Sequence, residues 1–261
     1  MSKVELRPSE RIDDLLTHGL SIIQSEEVFS FSLDAVLLAR FCSAPTKGRI
    51  MDLCTGNGVI PLLLTTRTKA QIWGVDIQER LADMAIRNVN LNQLQQQLHM
   101  RQGDLRTIHQ ELGYGQFDLV TVNPPYLPVP AGEQNMNEHV AAARHEIHCT
   151  LEDVISASSK LVKAGGKVAM VHRPTRLIDI CCLMRKYRLE PKRVRYVHPR
   201  ADEEAMMILV EGLKDGKAEV RTLPPLIVYR DNREYCDELK EIYYGERTSM
   251  LLSDAGNERD V

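Results

Sequence analysis

Two glycines one residue apart, Gly56-Asn57-Gly58, stand between a short apolar run, Arg49-Ile50-Met51-Asp52-Leu53, and a longer one over residues 59–68. Missing side chains at such a turn let the chain pass from a buried strand into a helix and bring backbone N–H groups against a ligand at the helix start. This strand–turn–helix unit commits the segment to a parallel sheet, since parallel neighbours need a crossover connection.

The alternation continues down the chain. Gln71–Asp76 reads as the second strand and residues 78–92 as a helix, with Leu81, Met84, Ala85, Val89 and Leu91 near helical spacing. Leu98–Gln102 and Phe117–Val122 are the third and fourth strands, and residues 151–164 the next helix. Gly165-Gly166 is expected to break that helix before a fifth strand over 167–171, and Pro174 to open a helix running to Tyr187. Leu189–His198 and residues 205–210 then read as two strands joined as a hairpin, with no helix between them. Before Arg49, Leu20-Ser21-Ile22-Ile23 and Val28-Phe29-Ser30-Phe31 are expected to pair, followed by a helix over 34–42. After Glu211 come a strand-like run, Leu226-Ile227-Val228-Tyr229, and a helical run over 235–244. The chain divides into an N-terminal cap over 1–48, an α/β domain over 49–248 and a tail over 249–261 expected to be disordered.

At 261 residues and 43% hydrophobic content, one large α/β core with a small appendage is affordable, and two full domains are not. No run approaches the roughly eighteen apolar residues a bilayer span needs, and the start carries no signal-peptide pattern, so a cytoplasmic protein is expected. Six cysteines form no C-x-x-C pair, which favours reduced, structural thiols. The net charge of −3 hides its distribution: residues 160–200 hold 12 Lys and Arg against 2 Asp and Glu, while both flanking segments are acidic. Such a stretch can follow a phosphate backbone, with Lys192, Arg193 and Arg195 as candidate contacts, or it can be a set of solvated helix faces.

Asp52, Cys54, Gly56 and Gly58 line the first turn, and Asp76, eighteen residues beyond Gly58, ends the second strand with Ile77 beside it. An acid there suits bidentate acceptance from ribose hydroxyls. Asp104 ends the third strand, where it can accept from an adenine amine while Leu105 packs on the ring. Val59-Ile60-Pro61 offers neither the Lys nor the Ser/Thr of a phosphate-binding loop, which disfavours ATP. Asp52 suits a cationic amino group better than a pyrophosphate, so a sulfonium cofactor with an amino-acid tail fits best, and NAD remains formally open.

Asn123-Pro124-Pro125-Tyr126 follows the fourth strand directly, at the sheet edge where ligands bind. It offers a side-chain amide and a backbone carbonyl as acceptors for the two protons of an amine, stiffened by two prolines, and an aromatic face for stacking a base. The intervening segment 127–150 reads as a substrate lid in which Arg144 meets a phosphate or braces against Glu146. His145 and His148 lack zinc-binding spacing, so no metal is expected.

Together with Ser32-Leu33-Asp34-Ala35-Val36-Leu37-Leu38-Ala39 and Ala143-Arg144-His145-Glu146, these motifs resemble the amino-methyltransferases, and more closely the bacterial family that methylates N6 of adenine 37 beside the anticodon of a valine tRNA. The resemblance covers about residues 31–211 and departs from the family's first turn at Cys54, where a third glycine is usual. It implies a Rossmann-like, seven-stranded class I methyltransferase sheet, mostly parallel with its last strand antiparallel. It also implies S-adenosylmethionine as cofactor, Asn123, Pro124 and Tyr126 as catalytic residues, Asn123 at the cofactor as well, Pro125 and Tyr126 at the substrate, and tRNA as partner. Protein-glutamine N5 and rRNA guanine-N2 methyltransferases share similar motifs and are the rival enzymes, and an idle RNA- or partner-binding fold is the rival outside catalysis. The short N-terminal region and the basic stretch favour the adenine reading.

Overall fold

A computed structural model of the chain describes residues 4–28, 32–125, 149–230 and 234–243. In chain order the elements are β1 (Glu10–Asp14), β2 (Ser21–Ser25), α1 (Leu33–Phe41), β3 (Arg49–Leu53), α2 (Val59–Thr65), β4 (Gln71–Asp76), α3 (Glu79–Leu91) and β5 (Leu98–Gln102). Next come α4 (Ile108–Leu112), β6 (Phe117–Val122), α5 (Leu151–Leu161), β7 (Val162–His172), a 3-10 turn (Pro174–Arg176), α6 (Leu177–Lys186), β8 (Leu189–His198), β9 (Met207–Lys214), β10 (Arg221–Thr222) and β11 (Leu226–Ile227). A further helical stretch covers 237–243.

The main sheet runs β5-β4-β3-β6-β7-β9-β8, with the two-residue strands β10 and β11 both pairing β8. β3 to β7 are mutually parallel, and β9 lies antiparallel between β7 and β8. This is the expected class I methyltransferase topology, extended by two short edge strands. The order reverses at β3, whose sequence neighbour β4 lies on one side and β6 on the other, and such a switch point opens a crevice at the strands' carboxyl ends.

Alternating side chains serve two cores. Ile50, Ile72, Leu119 and Ala169 face α1 and α2 in one cluster, and Met51, Leu53, Val120, Val122 and Met170 face α5 and α6 in the other. Because Met51 and Leu53 point to the second face, Asp52 between them belongs to the first, as does Thr121 between Val120 and Val122.

The N-terminal hairpin differs from expectation. β2 pairs with β1, in register from Glu10↔Ser25 to Asp14↔Ser21, and of its expected partner run, 28–31, all but Val28 lies outside the described residues. Polar composition concealed β1. Glu10 is one reason: its carboxylate is buried against Arg87 at 2.6 and 2.7 Å, and that hydrogen bond holds its pKa below the usual carboxylate value. α5 ends at Leu161, short of Ala164, and β7 begins at once. Gly165 (φ +72°) and Gly166 lie inside β7, where the register to β6 shifts between Phe117 and Leu119. A Cβ on Gly166 would stand 2.7 Å from the Val162 side chain, so the glycine pair permits a bulge where a helix stop was expected. α2 stops at Thr65, as Thr65 and Thr66 hydroxyls donate back to the Leu62 and Leu63 carbonyls at 2.7 and 2.8 Å. β9 starts at Met207 and runs past Val210 to Lys214, through a buried Glu211 that the hydrophobic pattern did not admit. The expected disordered tail, 249–261, lies outside the described residues.

Candidate active site

The carboxyl ends of β3, β4, β5 and β6 bring the expected residues to one edge. Leu53 pairs with Val122 and Asp52 with Thr121, so Cys54 and Asn123 leave the sheet side by side. Pro124 is buried, while Asn123 and Pro125 are half-buried. Tyr126 and Arg144 lie outside the described residues.

Asp52 is fully buried. The Thr121 hydroxyl donates to its Oδ1 at 2.6 Å, and Oδ2 has no hydrogen-bond partner among the described residues. Burial pushes the carboxyl up to about 7, against the Thr121 hydrogen bond and the nearby Thr55 hydroxyl, which both favour the ionised form. A buried carboxylate oxygen without a donor is costly, and a cation or N–H donor at this edge would relieve it.

The turn after β3 is held from below. Thr55 N donates to Val75 O at 3.0 Å, and Gly58 N to Thr55 O at 2.9 Å. Asp76 organises the loop: its Oδ2 accepts from Gly56 N and its Oδ1 from Gln78 N, each at 2.9 Å. Gly56 sits at φ +57° with open space where a Cβ would stand, and Gly58 at φ +86° against Ala85. Cys54, at φ +55°, also occupies the left-handed region, which is the backbone reason a glycine is usual there and costs a cysteine about 1 kcal/mol. Its thiol is held well above its ordinary pKa by a hydrogen bond to Cys149 and by burial, so it stays protonated.

Ile77, just past Asp76, is 37% exposed and leaves apolar surface open beside the acid. Leu105 is buried, and Asp104 is engaged by Arg106, whose Nε stands 3.0 and 2.9 Å from the two carboxylate oxygens. Among the described residues no group of three His, Cys, Asp or Glu side chains is arranged to hold a metal.

Three contributors escaped the sequence reading. Thr121 supplies the only hydrogen bond that the described residues give Asp52, and Asn57 braces the loop from behind. Gly74 in β4 is the third: a Cβ there would run into the Met100 sulfur and stand 2.8 Å from Thr55 Oγ1. A lone glycine inside a strand signals such close approach. Gly74→Ala is therefore expected to cost about 2 kcal/mol, seen as a melting temperature lower by about 4–8 °C, with the turn displaced. An unchanged melting curve would show that the turn does not rest on β4 in this way.

The basic stretch is mostly neutralised in space. With the described residues alone, eight of its twelve cations form ion pairs, several with acids from other segments: Lys163 with Asp118, Lys186 with Glu152, Arg188 with Asp215. Arg193 stands 3.1 Å from the buried Glu211, donates to Phe41 O at 2.7 Å and covers the Phe41 ring. Arg195 pairs with Glu238, and Lys192 donates to Lys217 O.

A sheet switch point with a buried carboxylate that accepts on one oxygen only, a two-glycine turn held by a second acid and an Asn-Pro-Pro segment beside it fits S-adenosylmethionine, and defines the class: an S-adenosylmethionine-dependent class I methyltransferase. Asp52 would hold the amino-acid end, Asp76 the ribose, and Ile77, Asp104 and Leu105 the adenine. The methyltransferase small domain matches residues 19–178. A tRNA1(Val) (adenine(37)-N6)-methyltransferase of Parabacteroides distasonis is 30% identical over 185 residues, covering 68% of this chain and 74% of the relative. The enzyme of that name from Porphyromonas gingivalis is 29% identical over 68% of this chain and 72% of its own. A crystal structure described as a predicted O-methyltransferase of Agrobacterium tumefaciens superposes with a TM-score of 0.66 at 22% identity, over 82% of this chain and 96% of the other, and bears on the fold alone. The chain belongs to the tRNA1(Val) (adenine(37)-N6)-methyltransferase family, within the methyltransferase small domain.

Proposed function

We propose that this methyltransferase modifies the exocyclic N6 of an adenine in tRNA, at position 37 beside the anticodon. The observation that carries the reading is the position of Asn123 and Pro124, one and two residues beyond the Leu53–Val122 pair and next to the loop leaving β3. The bound cofactor supplies an electrophilic methyl group. A base amine is a weak nucleophile because its lone pair is delocalised into the ring. Asn123 Oδ1 and the Pro124 carbonyl accept hydrogen bonds from its two N–H groups, which localises the lone pair on nitrogen as it attacks, and the prolines keep both acceptors preorganised. One proton then leaves the methylated amine to solvent. Pro125 adjoins the base and Tyr126 stacks on it. The names of the relatives from P. distasonis and P. gingivalis support adenine 37 as the target.

In this reading the tRNA backbone lies across the carboxyl edge, contacted by Arg144 and the basic stretch. Lys192, Arg193 and Arg195 reach phosphate only by exchanging their present partners, Glu211 and Glu238 among them. Charge reversal at all three is expected to weaken tRNA affinity and flatten its salt dependence by up to about three phosphate contacts. An unchanged slope in a binding titration against salt would remove them from the interface.

Offering labelled cofactor with total tRNA, rRNA and a release factor tests the substrate class. Label is expected in tRNA; label confined to release factor or rRNA would transfer the assignment to glutamine N5 or guanine N2.

A further inference from the structure

With Gly56 and Gly58 both in the left-handed region, the loop draws on conformations that glycine exchanges freely, and something else must select the one that receives a ligand. Asn57, between them, turns its side chain into the N-terminal hairpin, where its Nδ2 donates to Ile23 O at 3.1 Å. Asn88 on α3 closes the set: its Oδ1 accepts from Ile23 N at 2.6 Å and its Nδ2 donates to Asn57 O at 2.9 Å. Asn57 and Asn88 are both buried, at 4% and 0% exposure. Neither has a place in the chemistry described above. Four residues on, Asn92 bonds β2 in the same manner, accepting from Ser21 N at 2.9 Å and donating to Ser21 O at 2.7 Å and, within its own helix, to Asn88 O at 2.8 Å; among the described residues its side chain makes no hydrogen bond to the glycine loop.

We propose that Asn57 and Asn88 are positioning residues for the cofactor, latching the glycine loop to β2 so that the N-terminal hairpin is a working part of the cofactor site. The inference rests on the methyltransferase class and not on the identity of the methyl acceptor. The physical reason is twofold. A buried amide that loses one partner leaves the other group unpaired, so the three-way arrangement is all-or-none. Affinity then falls in proportion to the fraction of molecules whose loop is in the receptive form.

The control is built into the same helix. Asn88→Ala removes two hydrogen bonds, with Ile23 N and Asn57 O, and Asn92→Ala three, two with Ser21 and one with Asn88 O; both lower the melting temperature, but only the first unlatches the loop. Calorimetric titration of the full chain with S-adenosylhomocysteine, well below the melting transition, is expected to give a dissociation constant raised about tenfold or more for Asn88→Ala, as a loop receptive one-tenth of the time requires, and within about twofold for Asn92→Ala. Turnover at saturating S-adenosylmethionine stays within about threefold for both, since a shift in the loop's population acts on cofactor affinity. Should Asn88→Ala fail to fold, Asn88→Asp keeps the acceptor for Ile23 N and replaces the donor to Asn57 O by an oxygen that repels it, and a rise at least as large is expected. Asn88 variants that bind like the parent, or Asn92→Ala weakening binding to the same degree, would overturn the proposal.

Discussion

Asn123→Ala is expected to lower methyl transfer by about 10²–10³-fold while cofactor affinity stays within about threefold. Asn123 lies at the carboxyl end of β6 beside Cys54 and outside the Asp52–Asp76 half of the site, which is why the two readouts separate. Its amide oxygen matters most when the attacking amine becomes positive, because an N–H pointed at it is then a stronger donor. An interaction realised chiefly in the transition state appears in kcat and kcat/KM alike and barely in KM. Asn123→Asp keeps an acceptor oxygen and is expected to retain more activity than alanine. If alanine instead raised KM for the acceptor at unchanged kcat, Asn123 would be a binding residue only.

The second large effect concerns Asp52. Its folded-state pKa, about 7, lies above the ordinary 3.8, so the protonated form is the one the empty fold favours. The sign follows directly: below pH 4 both folded and unfolded chains carry the proton and there is no penalty. As pH rises from 4 to 7 the unfolded chain ionises first, and stability falls by about 1.4 kcal/mol per pH unit, to about 4 kcal/mol in all. Asp52→Asn, which can still accept from Thr121, removes this dependence, so the empty variant should be more stable than the parent at pH 8 and no more stable at pH 4. Thermal melts at both values decide it, and parallel curves would contradict the assignment. The same carboxylate makes cofactor binding pH-dependent. A cationic amino group favours the ionised form, so below pH 7 binding should release a proton, visible as a buffer-dependent heat, and Asp52→Asn should bind the cofactor at least about tenfold more weakly.

Sequence periodicity located most of the main sheet: β3, β4, β5, β6 and β8 coincide with expectation residue for residue, the central β3 and β6 because they are buried on both faces and read as apolar runs. It failed where a charge is buried with a partner. β1 was hidden by Glu10, paired to Arg87, and the length of β9 by Glu211, paired to Arg193. It failed also at Gly165-Gly166, because a helix stop and a bulge use the same residues for the same backbone freedom. At the site, Asp52, Asp76 and Asn123 were legible because strand ends converge by topology. Thr121 and Asn88 were not, since their roles depend on register and on a hairpin 65 residues away from Asn88 in the chain. The basic stretch taught the converse: linear charge density overstated the field, because its partners come from distant segments.

The central claim is that the Asn123-Pro124 edge methylates N6 of an adenine in tRNA. The most direct measurement offers the protein two transcripts of a valine tRNA, one with adenosine at position 37 and one with guanosine there, and digests each product to nucleosides. One N6-methyladenosine per adenosine-37 transcript and none from the guanosine-37 transcript is the predicted result. Equal methylation of both transcripts, or a methyl group recovered on guanine, would contradict the account.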